Sequence, residues 1–326
     1  MTKLLEKRYN LTESSIETNM PDTKKKIVCN SCNNNLIRII GKLPDVNEFA
    51  GKSINPSLSG GLLVQCKTCH LKFRHSELEQ SDLTDLYDGG LSEWIVTENR
   101  NDWKLLLSYI NQHFTNQTKK ISILDVGCNR GEILAKIDDK YNRYGLEINS
   151  TAAEFARNRS GLVVWNSYDE IPTNMKFDMI YSTDVIEHLT SPASFIKPLL
   201  DLLKDDGVLV LSTGDADNFL SNLFGIKWWY YYFPEHVAFI SRKWVKLFAN
   251  SNNLTINRLV RFYYHDMSIF KRFRLLVMSF VFNIIKSDFH PMILKFINKN
   301  NTSRRFQIGK GVSQDHIFVV MQKKII

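Results

Sequence analysis

Apolar positions along the middle of the chain come in short runs, separated by longer stretches in which they recur at helical spacing. Runs at residues 122–126, 143–148, 162–165, 177–182 and 208–212 read as buried strands. Residues 191–203 have helical spacing, with Ser191 placed as N-cap and Pro192 at the first helical position. Residues 92–114 repeat Trp94, Ile95, Trp103, Leu106, Leu107 and Ile110 with the same period, predicting a helix packed on the coming sheet. Alternation of this kind predicts an α/β fold, a doubly wound parallel sheet with helices on both faces. Residues 254–263 and 316–322 read as two further strands.

The first strand leads into candidate chemistry. Residues 121–134 read ISILDVGCNRGEIL: a buried strand, a turn from Gly127 through Cys128, Asn129 and Arg130 to Gly131, and a helix opening at Glu132, Ile133 and Leu134. Glycines let a backbone approach a ligand, and open α/β sheets bind at the carboxyl ends of their strands. The spacing is G-x-x-x-G, not the G-x-G-x-x-G of dinucleotide sites, and Asp125 precedes the turn. A carboxylate there repels a pyrophosphate and suits an ammonium group. Twenty residues past Gly127, Glu147 ends the second strand, placed to accept hydrogen bonds from ribose hydroxyls. A ligand with a ribose, a cationic amino-acid end and no phosphate is indicated, and S-adenosylmethionine fits.

Four segments in order, DVGCNRGEIL, GLEIN, FDMIYSTDVIEHL and LLKDDGVLVLSTGD, resemble the motifs of class I S-adenosylmethionine-dependent methyltransferases, from about residue 83 to the C-terminus. The resemblance implies a Rossmann-like seven-stranded sheet. It also implies a cofactor site built from Asp125, Gly127, Cys128, Gly131, Glu147 and Ile148. Asn166 or Ser167, after the third strand, would meet the adenine ring or simply form a turn. Asp184 would lie near the methionine moiety, with Glu187 and His188 following; for His188 a packed, hydrogen-bonded role stands ahead of catalysis. Asn129 occupies a position where many members carry glycine, and asparagine tolerates the backbone angles such a turn needs.

Five cysteines include two C-x-x-C pairs, Cys29/Cys32 and Cys66/Cys69, separated by thirty-three residues. Each pair can supply half of a tetrahedral Zn²⁺ site, brought together by strands near residues 36–40 and 62–65. Pro44, Gly51, Pro56, Gly60 and Gly61 mark turns between them. A redox pair and haem attachment at Cys66–His70 are the alternatives, with His70 and His75 otherwise bystanders. The expected organisation is a polar tail (1–26), a zinc-ribbon-like module (27–80) whose folding energy comes partly from metal, and the methyltransferase domain (81–326). A zinc ribbon followed by Leu86-Tyr87-Asp88 also resembles a subset of methyltransferases that act on sugars. In that subset the N-terminal module helps form the substrate cleft.

Residues 214–240 form a long connection after the fifth strand and carry six consecutive aromatics, Trp228 to Phe233, before Pro234-Glu235-His236-Val237. In an extended segment alternate side chains point opposite ways, so some aromatics should line a cleft where a sugar ring can pack. The E-H pair resembles that of sugar methyltransferases. His236 can accept the acceptor's proton, and Glu235 can orient it or hold a hydroxyl. C-methylating relatives on 4-keto sugars often carry Tyr two residues before the Glu; here Phe233 stands there, which favours O-methylation and leaves C-methylation as the alternative.

Composition adds one further segment. Residues 268–300, within an insertion at about 266–312, are basic and apolar, with a break at His290-Pro291. A helical pair there would lie on a membrane surface, form a dimer face or cover the enzyme's own sheet. A net charge of +8 points to an anionic partner, nucleotide-linked, lipid or nucleic acid. An RNA-binding or RNA-modifying role is disfavoured because only Lys227 accompanies the aromatic run. The N-terminus lacks the apolar core of an export signal, and the apolar run at 275–285 is too short to span a bilayer, so a cytoplasmic protein, or one at the inner membrane face, is expected.

Overall fold

The computed structural model describes residues 27–49, 52–76, 82–83, 100–158, 162–284 and 311–324. The N-terminal module holds β1 (Ile37–Lys42), β2 (Val46–Phe49), β3 (Lys52–Leu58), β4 (Leu62–Cys66) and β5 (Lys72–His75). There follow α1 (Asn101–Phe114), β6 (Ser122–Val126), β7 (Asn142–Leu146), α2 (Ser150–Arg157), β8 (Val163–Trp165) and β9 (Phe177–Thr183). Next come α3 (Pro192–Leu202), β10 (Leu203–Gly214), α4 (Phe219–Phe224), β11 (Ala238–Phe239) and α5 (Arg242–Ser251). β12 (Leu254–Phe262), α6 (Ile269–Ile284) and β13 (His316–Lys323) complete the described elements.

Seven strands form one sheet in the order β12-β13-β10-β9-β6-β7-β8. Six run parallel, and β13 inserts antiparallel between β10 and β12, with Val320 opposite Val210. The central strands are apolar on both faces because helices cover both. Phe177 to Ser182 are all buried, as are Val208 to Leu211. The expected seven-stranded α/β sheet is therefore present, with its crossing point between β6 and β9 opening at the carboxyl edge. Ser191 caps α3 by accepting from the Ser194 amide, and Ser241 caps α5 by accepting from Trp244.

The structure differs from the sequence reading in several places. After Gly131 the chain makes only a single 3-10 turn, Leu134–Lys136, instead of a helix. Ile137 is already extended, and the Asp138 carboxylate accepts the Lys140 amide in a turn that returns the chain to β7. The helix expected over 92–114 begins at Asn101; residues 92–99 lie outside the described residues, as do the tail and the second half of the insertion. Pro56 sits within β3, on a two-stranded ribbon with β2 where a missing amide costs no central ladder bond.

A four-stranded sheet, β1-β4-β5-β11, links the two expected domains. Its last strand, β11, comes from the far side of the aromatic segment and pairs Ala238 with Phe73 and Phe239 with Lys72. The small sheet thus crosses the boundary expected at residue 80, and Val64, Leu71 and Phe73 share one core with Leu124, Val126 and Leu211.

Candidate active site

β6 ends at Asp125 and Val126, and Gly127 then adopts φ +79. A Cβ at Gly127 would stand 2.4 Å from Val185, so only glycine lets the turn close over the neighbouring strand end. Asn129 follows at φ +48, a left-handed angle asparagine accepts, and its amide donates to Glu147 Oε2 at 2.8 Å. The other Glu147 oxygen accepts from the Asn149 amide at 2.9 Å. Asn166 donates to the Glu147 carbonyl, tying the ends of β7 and β8 together, and Ser167 begins the next turn. Ile148, 60% exposed, stands beside them as an apolar face at the rim. Asp125 is buried and accepts from the Tyr181 hydroxyl at 2.9 Å; burial pushes its carboxyl well above the usual range.

A cavity of about 180 Å³ opens at this edge, lined by Asp125, Gly127, Cys128, Asp184, Glu187 and His236, among others. Glu147, Ile148, Asn166, Ser167 and Gly131 are outside its lining. Asp184 has φ +54, a left-handed backbone at the end of β9 that turns its side chain into the cavity. It pairs with Arg100 at 2.7 Å and accepts from the Tyr264 hydroxyl at 2.5 Å. Burial would raise its carboxyl, but Arg100, His316 and the Tyr264 hydrogen bond together outweigh burial and hold it below the usual range. Arg100 also pairs with the buried Asp102 at 2.5 Å.

The aromatic segment is not extended. Trp229–Tyr232 form a 3-10 turn, and Trp228, Trp229, Tyr230 and Tyr231 are all buried. Trp229, Tyr230 and Phe233 nevertheless line the cavity, as do Trp103 and Tyr264. Tyr230 packs directly over Gly214, where a Cβ would stand 2.5 Å from its ring. Its hydroxyl donates to Glu187 Oε1 at 2.7 Å, while Thr213 donates to Glu187 Oε2 at 2.8 Å. Burial first, then the charge of Asp184, raises the Glu187 carboxyl to about 7.

His236 is buried, and its Nδ1 lies 3.0 Å from the Tyr230 carbonyl. A carbonyl only accepts, so Nδ1 carries the proton and the neutral ring presents a lone pair at Nε2. Burial, His188 and Arg74 hold its pKa well below the usual range. His188 is arranged alike, with Nδ1 donating to the Glu235 carbonyl at 3.1 Å, and its ring is 5.0 Å from that of His236. What orients His236 is thus the Tyr230 carbonyl. Glu235 is buried outside the cavity lining and places its charge near Arg74 and His188.

The lining residues Arg100, Thr183, Tyr264 and His316 went unmarked in the sequence. His316 is held by Asp315 at 2.8 Å; burial pulls its pKa down, but the Asp315, Asp184 and Asp102 carboxylates together outweigh burial and raise it. The adjacent Asp-His pair at the start of β13 was a readable signal. Arg74 was not readable: its guanidinium donates to the carbonyls of Gly60, Tyr231, Phe233 and His236.

Among the described residues two groups could hold a metal ion. In the first, all four sulfurs of Cys29, Cys32, Cys66 and Cys69 lie within 4.8 Å of one another, and none is in a disulfide. The contacts Cys29–Cys69 (3.5 Å) and Cys32–Cys66 (3.6 Å) approach the ~3.8 Å edge of a tetrahedron with 2.3 Å metal–sulfur bonds. The two knuckles are conformational twins: Asn33 and His70 follow their second cysteines at φ +56 and +61. That left-handed position accounts for His70 without haem. The second group is Glu187, His188 and His236. Both Glu187 oxygens already accept hydroxyls.

A family model described as a methyltransferase domain matches residues 97–259, half of the chain and the span holding every cavity residue from Arg100 to His236. The chain belongs to the methyltransferase-domain family. The domain is similar to the ubiquinone biosynthesis O-methyltransferase of Histophilus somni (35% identity over 123 residues, 33% of this chain and 50% of the relative). It is likewise similar to that of Rickettsia canadensis (26% over 115 residues, 33% and 48%). The chain spans about half the length of these curated relatives. The plantazolicin methyltransferase BpumL, solved with a triazolic desmethylPZN analog and SAH, is similar at TM-score 0.44 and 15% identity, covering 68% of this chain and 83% of that one. The cysteine cluster and His316 lie outside the matched span.

Proposed function

We propose that this chain is an S-adenosylmethionine-dependent methyltransferase that methylates a hydroxyl of a sugar, nucleotide-linked or within a polysaccharide. The observation that carries the reading is that one cavity lining holds both groups. The Asp125 carboxylate and the Gly127 cradle suit a cationic amino-acid group, and the His236 ring, with its lone pair at Nε2, lies among the rings of Tyr230 and Phe233. S-adenosylmethionine supplies a methyl group on a positively charged sulfur, so the chain's own task is positioning and proton removal. A cationic ligand would also restore the charge that burial suppresses on Asp125. Glu147 keeps lone pairs for ribose hydroxyls, and Ile148 gives an apolar face for a base. His236, neutral at physiological pH, accepts the hydroxyl proton as the acceptor oxygen attacks. Trp103, Trp229 and Phe233 supply faces for a sugar ring.

The four cysteines would hold a structural Zn²⁺, fixing the small sheet whose last strand, β11, anchors the segment bearing His236.

A second reading is a phenolic hydroxyl as acceptor, favoured by the aromatic lining and by the names of the curated relatives. Mass spectrometry of reactions with S-adenosylmethionine and separate panels of nucleotide sugars, oligosaccharides and phenols tests both, with His236→Ala and His188→Ala in parallel. A sugar heavier by one methylene, lost in His236→Ala, supports the main reading, and fragmentation distinguishes oxygen from carbon. Cofactor binding with methylated phenols and unmodified sugars replaces it by the second.

A further inference from the structure

The net charge of this protein has one address. Residues 268–310 contain nine Lys and Arg and one acid, a net of +8, which is the charge of the whole chain; the remainder is balanced. That segment opens with α6, which is apolar on both sides. Its inner side is used: Ser279 is buried, Leu275 and Leu276 pack on the core around Trp228, and Phe280 meets Phe224 at 5.4 Å between ring centroids. Its outer side is not. Phe270 is 88% exposed and Phe273 67%, and Val277 and Val281 are exposed as well. These positions fall three and four residues apart and share one stripe. Lys271 and Arg274 are exposed beside them, and α6 contains no acidic residue.

We propose that the outer face of α6 seats this protein on an anionic phospholipid surface. A helix with phenylalanines and valines along its outer stripe and flanking cations has the chemistry of an interfacial helix: rings enter the acyl boundary while Lys and Arg meet lipid phosphates. Sixteen residues span about 24 Å, and no described helix is long and apolar enough to cross a membrane, so α6 lies on the surface. A second copy of this chain is a poorer occupant, since a two-fold contact would bring two copies of α6 together, each with three cations and no acid. The geometry has a consequence for the cavity. Tyr264, part of its lining, precedes α6 by five residues, so the docked cavity sits close to the lipid surface.

Co-sedimentation of the full chain with vesicles of phosphatidylglycerol and phosphatidylcholine, against phosphatidylcholine alone, is the test. The chain should pellet with the anionic vesicles only, and about 0.5 M salt should release it. Phe270→Ser with Phe273→Ser should lower partitioning roughly tenfold or more. Lys271→Glu with Arg274→Glu should lower it on the order of a hundredfold. All four side chains are exposed, and the circular dichroism of both variants should match the parent. Failure to bind anionic vesicles, equal binding to neutral ones, or binding unchanged in both variants overturns the proposal. A dimer in sedimentation that the phenylalanine variant dissolves also overturns it, and assigns the face to a second copy.

Discussion

Arg74→Met tests whether the N-terminal module positions the segment that carries His236. Arg74 is buried in β5, and burial lowers its guanidinium to about 10, which leaves it charged at neutral pH. It donates to four carbonyls, at Gly60 (2.5 Å), Tyr231 (2.8 Å), Phe233 (3.1 Å) and His236 (3.2 Å). Three of the four acceptors lie within residues 231–236. Methionine keeps most of the volume and removes every donor. A buried polar group left without a partner costs about 1–3 kcal/mol, so four together would cost ~4–12 kcal/mol if nothing moved. That is comparable to the stability of a whole domain, so the segment should rearrange before the sheet unfolds. Global stability should therefore fall by only about 2–4 kcal/mol, while residues 228–240 lose their protection. Hydrogen exchange followed by mass spectrometry reads this directly, without knowledge of the acceptor. On the proposed reading the cofactor binds at Asp125 and Gly127, so its affinity should change less than threefold or so, and turnover should drop about a hundredfold as His236 loses its position. Arg74→Lys, with one donor point instead of a planar fork, should recover only part. Unchanged exchange across 228–240 in Arg74→Met would refute the reasoning.

The remaining predictions concern the metal, the turn and a buried carboxyl. The purified chain should carry about one zinc, and Cys66→Ser should lose it together with the stability of the β1-β4-β5-β11 sheet; metal analysis and thermal melts check both. Gly127→Ala forces a Cβ to 2.4 Å from Val185 at φ +79, and should weaken cofactor binding tenfold or more, at a stability cost of about 1–3 kcal/mol, by calorimetric titration and denaturant melts. Burial raises Glu187 from 4.5 in the unfolded chain to about 7 in the fold, so the stability it contributes is whole below pH 4.5 and lost as pH rises through 7. Glu187→Gln, which does not titrate, should therefore gain on the order of 3 kcal/mol relative to the parent between pH 4.5 and pH 8; denaturant curves that stay parallel across that range would refute it.

Much of the architecture was legible in the chain because its causes are local. Apolar runs of four to seven residues marked the strands, since a strand covered on both faces must be apolar throughout. Ser191-Pro192 announced its helix because a cap is made by neighbouring residues. The turn from Gly127 to Gly131, the acid before it, and the two C-x-x-C pairs could be read for the same reason. The sequence overreached where a local pattern met a tertiary limit: the helix after Gly131 shrank to one turn, and the aromatic run curled into a 3-10 turn instead of alternating. What the sequence could not determine was which distant groups would meet. Arg74 reaches carbonyls about 160 positions away, Arg100 pairs with Asp184, and His188 and His236 converge from separate loops to turn their lone pairs toward one cavity. Even the neutral state of those histidines is a property of burial, which exists only once β11 has joined the N-terminal sheet. Local spacing fixed the elements; the cavity's chemistry came from long-range packing, where charge, desolvation and hydrogen-bond partners are assigned.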